Sequence, residues 1–523
     1  MRVVLLQTAP WRPDMPPLGL PYVQAALAAA GVPVALADVN FTLWEAARPD
    51  ERVWWEPSHA FVWHPPMDPR VHALLRREGP RLERALRDAI GAGPCLVGLT
   101  MLTTQKAFCL WLADRVRAVC PEARVVVGGP QCFVQYEPHA IVAHPSVDFV
   151  VVGEGEHAIV ELVRWLEAGA VGAPPPAVLT HDGRDGGPRA LGKSLDSLAF
   201  PDFTGLPLER YLDRGRLPIF TSRGCVKKCV YCIEQRIWER FRYRTADNVY
   251  AEIRRDVEVY GATKLEFNDS LFNGHMRVLE EVCDRMIASG HTPSWGGQGV
   301  IRKEMSPRVL AKLRQSGCGF VTYGFESASQ AVLDRMKKHV DMTVAAQVIR
   351  DTHAAGIGQK LNLMFGFPGE TEADFQLTLD FLTANARYIA EVNPSDAFTA
   401  LIPGTELYER ADDFGITNIG NAWFWEAGAN DFGVRLDRFE RMCRHVKRLG
   451  IASTYRLDRV ANRWQVLGEF HAFKERWIEA LAHWDAHAGE TGTSAWDIPG
   501  YRGAVGRVAA GLREANRGSG TAV

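Results

Sequence analysis

Through the first 170 residues, short apolar runs alternate with stretches whose apolar positions recur at helical spacing. Arg2–Leu6, Pro33–Asp38, Cys95–Thr100, Arg124–Gly128 and Asp148–Val152 predict strands, and Leu18–Ala30, Gln105–Val119 and Glu156–Ala168 predict helices. The last of these brings Ile159, Val160, Leu162, Val163 and Leu166 to one side. Apolar strands in alternation with helices predict a parallel, doubly wound sheet covered on both faces. Ligands of such sheets sit beyond the carboxyl ends of the strands, and Gly128-Gly129-Pro130 and Gly153-Glu154-Gly155-Glu156 fall at two of those ends. An insertion from Phe41 to Gly93 carries Trp44, Trp54, Trp55 and Trp63. Clustered aromatics of this kind read as a satellite core ahead of a binding surface.

The pattern divides the chain into residues 1–170, a linker at 171–205, a second region at 206–430 and a helical region at 431–523. The linker holds Pro174-Pro175-Pro176 followed by turn-forming residues. In the second region strands are predicted at Pro218–Ser222, Lys264–Asn268, Ser294–Gly299, Phe320–Phe325, Lys360–Gly366 and Ala397–Ile402. That spacing predicts a partial or full β/α barrel, whose chemistry gathers at the carboxyl ends of its strands. The last region carries helical patterns at Leu436–Leu449 and Gln465–His483 and a tail expected to fray. The predicted fold class is α/β: a doubly wound, Rossmann-like domain, then a partial TIM-like barrel, then mostly helix.

Composition adds boundaries. A chain of 523 residues, 47% hydrophobic and 23% charged, is an ordinary globular one, neither disordered nor collagen-like. Sixty basic and 62 acidic residues leave a net charge of −2, so no global field favours nucleic acid or an anionic membrane. No apolar run approaches the roughly 18 residues of a membrane span, and MRVVLLQTAP has no signal-peptide pattern. The expectation is a cytoplasmic protein. Ten cysteines are too few for a secreted disulfide framework, yet three crowd into eight positions.

Those three are Cys225, Cys229 and Cys232 in TSRGCVKKCVYC, directly after the first strand predicted for the second region. Thiolates are the usual ligands of iron–sulfur clusters, and closely spaced cysteines on a loop can wrap one. Three ligands leave one iron of a four-iron cluster open to an external chelate. A structural zinc site would show two separated cysteine pairs or added histidines, and none lies nearby. WERFRYR at 238–244 suits either a nucleic-acid contact or a solvated helix face with Trp238 and Phe241 turned inward, the second being preferred. Cys318 and Cys443 are open to a role in radical chemistry, although Cys318 sits in an apolar segment that favours core packing.

CxxxCxxC with Tyr231 before its last cysteine resembles the radical S-adenosylmethionine (SAM) superfamily. The resemblance extends to Phe267-Asn268-Asp269, Arg302, Gly324-Phe325-Glu326-Ser327, Gly366-Phe367-Pro368-Gly369-Glu370 and Ile402-Pro403-Gly404-Thr405, in order at successive strand ends. It implies that the three thiolates hold a 4Fe–4S cluster, whose open iron SAM chelates before cleavage to a 5′-deoxyadenosyl radical. It also implies that Asn268 and Asp269 accept from the ammonium of SAM, that Arg302 faces its carboxylate, that Glu326 accepts from the ribose and that Gly366 lets backbone close on the adenine. The first region is similar to the cobalamin-binding domain found ahead of that barrel in one subfamily, through PPLGLPYVQAALAAAGVPVALADVN, LVGLTMLTT, VVVGGPQ and VDFVVVGEGE. Thr100, Thr103, Thr104, Gly128, Gly129, Pro130 and Gln131 are then expected near the corrin. The chain has no DxHxxG motif, which leaves the lower face of cobalt unassigned.

The resemblance implies an enzyme that uses methylcobalamin to methylate an unactivated carbon of a small-molecule or peptide substrate. An external one-electron donor such as flavodoxin or ferredoxin would serve it, with neither membrane nor nucleic acid as partner. Cyclisation and ring rearrangement are alternatives within the subfamily. Two rivals come from other classes. A methylthiotransferase-like RNA modifier would carry further cluster cysteines in its first domain, and Cys95, Cys109, Cys120 and Cys132 lack that look. An iron–sulfur or cobalamin sensor would be expected to carry a DNA-binding motif.

Overall fold

A computed structural model describes residues 1–453 apart from 57–59, 65–66, 193, 291, 396–397 and 420–424. The chain divides into two compact units, the first comprising residues 1–219 with 255–263, the second 220–254 with 264 onward.

The first unit is built on β1 (Arg2–Gln7), β2 (Val34–Asp38), β3 (Cys95–Thr100), β4 (Arg124–Gly128), β5 (Phe149–Val151) and β6 (Val178–Thr180), in the order β2-β1-β3-β4-β5-β6. The first five strands pair in parallel, and β6 runs antiparallel to β5. Strands such as CLVGLT are buried nearly throughout, as a sheet covered on both faces requires. Its helices include Gly19–Ala29, Lys106–Val119 and Gly155–Glu167. The expected linker at 171–205 is instead part of this unit. It supplies β6, and the carbonyls of Asp202 and Thr204 accept from Nε2 of the buried Gln24. Strand β7 (Arg216–Ile219) closes the unit's main stretch.

The tryptophan-rich insertion folds as a satellite core. Trp54, Trp55 and Trp63 are buried, and Trp63 meets the rings of Trp55 and Phe108 edge-on at 4.9 and 5.7 Å. A 22-residue helix, Pro69–Ile90, covers it with Val71, Leu74, Leu75, Leu82, Leu86 and Ile90.

The second unit opens with the antiparallel pair β8 (Ser222–Arg223) and β9 (Arg242–Tyr243). Strands β10 (Lys264–Phe267), β11 (Ser294–Gly299), β12 (Cys318–Glu326), β13 (Gly358–Leu363) and β14 (Glu391–Pro394) then follow, each parallel to the next, with helices between them. A small hairpin, β15 (Asn418–Ile419) and β16 (Trp425–Glu426), precedes helix Phe432–Arg448. Strand β17 (Ala452–Ser453) then pairs in parallel with β14. The arrangement is a partial β/α barrel.

One expectation needs correction. The strand expected at Ala397–Ile402 is Glu391–Pro394, whose Val392 and Pro394 pair with Leu361 and Leu363. Phe398 has φ 51°, and Ile402–Thr405 forms the turn that caps helix Glu406–Glu409. Helix Phe432–Arg448 and β17 fall within the second unit. The helix expected at Gln465–His483 lies outside the described residues.

Candidate active site

The cysteine loop starts from a buried anchor. Asp269, at the end of β10 and 4% exposed, accepts from the amide of Thr221 at 3.0 Å and from the hydroxyls of Thr221 and Ser222 at 2.7 and 2.6 Å. Its carboxylate is therefore committed to holding β8. Beside it Arg244 pairs with Glu252 at 2.7 Å, both buried, and donates to the carbonyl of Phe220 at 2.9 Å. Gly224 then takes φ 85° where a Cβ would meet the carbonyl oxygen of Arg240 at 2.8 Å, a close approach that admits only glycine.

From Cys225 to Cys232 the chain is a loop tied down by few bonds. The amide of Lys227 donates to Sγ of Cys225 at 3.3 Å, Cys232 N–H to Cys229 O at 3.1 Å, and Val230 N–H to Met336 O at 3.1 Å. Val230 packs with Phe367, Leu401 and Trp425, which fixes the loop's inner side. Burial raises all three thiols above the usual cysteine value, Cys232 to about 12, and each of Cys225 and Cys232 also feels the charge of Cys229. Buried thiols of this kind ionise when a metal supplies positive charge. No set of three or more ligating groups among the described residues converges on a single metal ion. In a four-iron cluster each thiolate binds a different iron, so the sulfurs stand a cluster's width apart, and three mutually sensed thiols on one loop fit it.

Glu326 and Lys338 stand in the same neighbourhood. Oε1 of Glu326 lies 2.9 Å from Nζ of Lys338, with side chains 11% and 9% exposed, and the ammonium also reaches the hydroxyl of Tyr231 at 3.3 Å. Burial opposes the charge on Lys338, but Glu326, Cys229 and Cys232 outweigh it and hold the ammonium above its ordinary value. Glu326 takes φ 68°, and a Cβ on Gly324 would come within 3.0 Å of both partners, so Gly324 makes room for the pair.

The other expected SAM ligands are placed differently. Asn268 is exposed at the end of β10. Arg302 donates to the carbonyls of Asn273 and Gly274 at 2.9 and 3.4 Å and makes a two-point pair with Glu304. Gly366 has its amide bonded to Glu370 at 2.6 Å and its carbonyl to Asn430 at 2.6 Å. Those backbone groups are satisfied within the protein, and helix Phe432–Arg448 backs the turn: Arg435 stacks on Trp425 at 3.9 Å, and Arg438 pairs with Glu370 at 2.7 Å.

In the first unit the expected corrin-side residues gather at the carboxyl ends of β3 and β4. The carbonyl of Thr100 accepts from the Thr8 hydroxyl at 2.7 Å, and Thr103 and Thr104 form a single turn whose third residue, Gln105, is buried. Gln105 donates to the carbonyls of Thr8 and Pro10, both at 3.0 Å, and accepts from Leu102 at 2.9 Å, locking the turn to the end of β1. Gly128 is half-buried and Pro130 exposed, while Gly129 takes φ 111° with Met101 O 2.9 Å from where a Cβ would stand. Gln131 donates its amide to Met101 O at 3.0 Å, is 7% exposed and has no partner for Oε1; Oε1 of the 1% exposed Gln7, at the end of β1, is equally unpartnered. Buried acceptors without donors signal a missing partner. The amide side chains around a corrin carry such donors, so these residues fit cobalamin.

The basic run at 238–244 is not one surface: Arg242 and Arg244 are buried, while Arg240 is exposed. Cys318 is a core residue of β12. Lys338, Gln105 and Gln7 are the site residues the sequence pattern did not single out. A lysine twelve positions after Glu326, on the far side of helix Gln330–Arg335, shows no spacing that would pair them.

A three-thiol loop on a partial β/α barrel, preceded by a doubly wound unit with unpaired acceptors at its strand ends, defines an enzyme of iron–sulfur and corrin chemistry. Residues 219–382 match the radical SAM superfamily and residues 68–163 the B12 binding domain. The chain is 26% identical over 329 residues to an uncharacterised methyltransferase of Pyrococcus horikoshii, covering 61% of this chain and 69% of that one. It is 24% identical over 499 residues to cytidylyl-2-hydroxyethylphosphonate methyltransferase of Streptomyces wedmorensis, covering 82% and 89%. Its fold is shared by the radical SAM methyltransferase TsrM of Kitasatospora setae, solved with cobalamin and a 4Fe–4S cluster (TM-score 0.61, 19% identity, 80% of this chain and 77% of that one). The cobalamin-dependent radical SAM enzyme OxsB shares it too (TM-score 0.57, 14% identity, 86% and 62%). The chain thus carries a radical SAM domain and a B12-binding domain, which imply a 4Fe–4S cluster, SAM and cobalamin as its cofactors.

Proposed function

We propose that this enzyme methylates an unactivated carbon of a small-molecule or peptide metabolite. The observation that carries the reading is the presence in one chain of the three-thiol loop and of a B12-binding fold with unpaired buried acceptors. The name of the Streptomyces relative, a methyltransferase of a nucleotide-linked phosphonate, supports a small metabolite over RNA. When bound, the cofactors supply one-electron cleavage of SAM, hydrogen abstraction by the resulting radical, and a methyl group carried on cobalamin.

The chain's own part is binding and orientation. Cys225, Cys229 and Cys232 hold the cluster, and Asp269 holds β8 so that the loop leaves the sheet in one direction. Lys338 replaces Arg302 as the group facing the SAM carboxylate, because its buried ammonium lies among the thiols whereas Arg302 is spent on Glu304 and two carbonyls. Glu326 keeps that ammonium charged and has a second oxygen for a hydroxyl donor. Gln7 and Gln131 accept from corrin amides, and the Gly129 turn lets backbone approach the macrocycle.

The test is anaerobic incubation of the reconstituted protein with SAM, methylcobalamin, a reductant and candidate metabolites, scoring 5′-deoxyadenosine and a mass gain of one methyl. Replacing Cys225, Cys229 and Cys232 together by Ala should abolish both products and iron binding. Corrin-free protein with an intact cluster would remove the methylation reading and leave cyclisation or rearrangement.

A further inference from the structure

We propose that Asn362 and Asn393 form a recognition edge on the barrel sheet of the second unit, and that it selects an uncharged, amide-bearing substrate. The inference deepens the proposed function and rests on it, because it names the chemistry of the metabolite that the radical would meet.

From Val321 onward buried and half-buried residues alternate along β12, and they do so along β13 and β14, so one face of these strands is covered and the other stays open. The parallel register stacks the open face in cross-strand rows. The first row is Gly296, Phe320 and Gly358. A Cβ on Gly358 would stand 2.7 Å from Cδ2 of Phe320, so that ring fills the space over the glycine. Next come Gln298, Thr322, Lys360 and Glu391, with Lys360 and Glu391 paired at 3.0 Å. The third row is Gly324, Asn362 and Asn393. A Cβ on Gly324 would lie 2.9 Å from Nζ of Lys338, so the ammonium proposed for the SAM carboxylate stands in the same row as the two asparagines. Adjacent strands are about 4.8 Å apart, which sets the backbone of Asn362 about 5 Å and that of Asn393 about 10 Å along the row from Gly324.

Nδ2 of Asn393 donates to Oδ1 of Asn362 at 3.0 Å. That bond fixes the two amides against each other. It leaves Oδ1 of Asn393 buried with no donor, and Nδ2 of Asn362 with no acceptor among the described residues. A buried acceptor left unmet is costly and marks a place for a partner. The pair thus offers one acceptor and one donor, which an uncharged group with its own N–H and C=O meets at both points. Charge points the same way. The two cations of these rows, Lys338 and Lys360, each already face a carboxylate, Glu326 and Glu391. A phosphate or carboxylate ligand would have to be desolvated against paired charges, whereas a neutral amide needs no counter-ion. Carboxamides and nucleobases both present this chemistry.

The experiment titrates the full-length reconstituted protein with benzamide, uridine, methyl benzoate and benzoate by ligand-observed NMR, beside SAM affinity from equilibrium dialysis and iron content. Wild type should bind benzamide or uridine roughly ten-fold more tightly than methyl benzoate and benzoate, and the tighter of the two identifies a carboxamide or a nucleobase as the source. Asn362→Leu/Asn393→Leu removes both amides at similar volume and should lose that preference while keeping the iron content and SAM affinity of wild type. Asn393→Asp should turn the preference from benzamide to benzamidinium, a gain that a misfolded variant would not show. The inference is overturned if wild type binds both amide probes no more tightly than methyl benzoate, if the leucine variant keeps the preference, or if Asn393→Asp gains nothing for benzamidinium. A loss of SAM affinity in the leucine variant overturns it as well, by giving the asparagines to the cofactor. Each of these results leaves the cluster and the proposed function in place. Protein that holds no iron after reconstitution overturns the proposed function instead, and the probe constants, which need no cluster, read the site independently.

Discussion

Nζ of Lys338 stands 2.9 Å from Oε1 of Glu326, and the two side chains are 9% and 11% exposed. A buried ion pair of this kind costs desolvation on both sides and by itself is weak support for a fold. Its placement among Cys229, Cys232 and Tyr231 gives it a second use. A pre-formed, water-poor ammonium can take a carboxylate ligand without further reorganisation.

Lys338→Met should therefore weaken SAM binding with little effect on the cluster. A charge-assisted bond is worth about 1.5 to 3 kcal/mol, which predicts a loss of roughly ten- to one-hundred-fold in affinity. Because the single change strands the Glu326 carboxylate, the cleaner variant is Lys338→Met with Glu326→Gln, and Lys338→Arg should restore most of the binding. Equilibrium dialysis with SAM, read beside iron content, separates the two roles. Equal affinity in wild type and the double variant would return the carboxylate to Arg302.

The parallel strands of the first unit were legible because buried parallel strands are near-continuous apolar runs, as in CLVGLT and RVVVG. The cluster cysteines were legible because their spacing is local. What stayed hidden depends on contacts between distant segments. Asp269 sits beside Asn268 at a strand end, yet its partners are Thr221 and Ser222, 48 and 47 residues away, so its role is to hold the loop's origin. Gly366 has the φ of 64° that its glycine foretells, but the group that fills the space beside it is Arg435, from a helix 69 positions on. The strand at Glu391–Pro394 ends in a proline and holds two polar residues, which obscured it, while the more apolar run after it forms a capped turn.

That Gly366–Arg435 contact predicts a coupled pair. A Cβ on Gly366 would lie 2.2 Å from Cγ of Arg435 and 2.6 Å from its Cδ, and the backbone is left-handed. Gly366→Ala should cost about 3 kcal/mol, of which roughly 1 to 2 is the left-handed backbone and the rest overpacking. Arg435→Ala opens the space, so the same glycine change in that background should cost only the backbone share. Denaturant midpoints of the four proteins give the coupling. Additive losses would mean that the Arg435 stem moves aside freely, contrary to its full burial against Trp425.

The satellite core predicts a pH dependence. Glu51, its side chain 2% exposed, accepts two bonds from Arg77 at 2.8 and 2.7 Å and further bonds from Arg48. The Arg77 pairing outweighs burial and lowers the carboxyl from its ordinary 4.5 to about 2. A folded-state value below the unfolded one means that the unfolded chain binds the proton first as pH falls. The pair's stabilisation is thus complete above about pH 5 and drains away as pH drops toward 2. Glu51→Gln should accordingly cost on the order of 2 to 3 kcal/mol at pH 7, and the gap from wild type should narrow steadily between pH 5 and pH 3. Urea unfolding across that range, followed by the fluorescence of the buried Trp54, Trp55 and Trp63, reads it directly. A gap independent of pH would assign the loss to packing rather than to charge. A gap that widened on acidification would mean that Glu51 binds its proton more readily in the folded state, the reverse of what its five guanidinium and amide donors enforce.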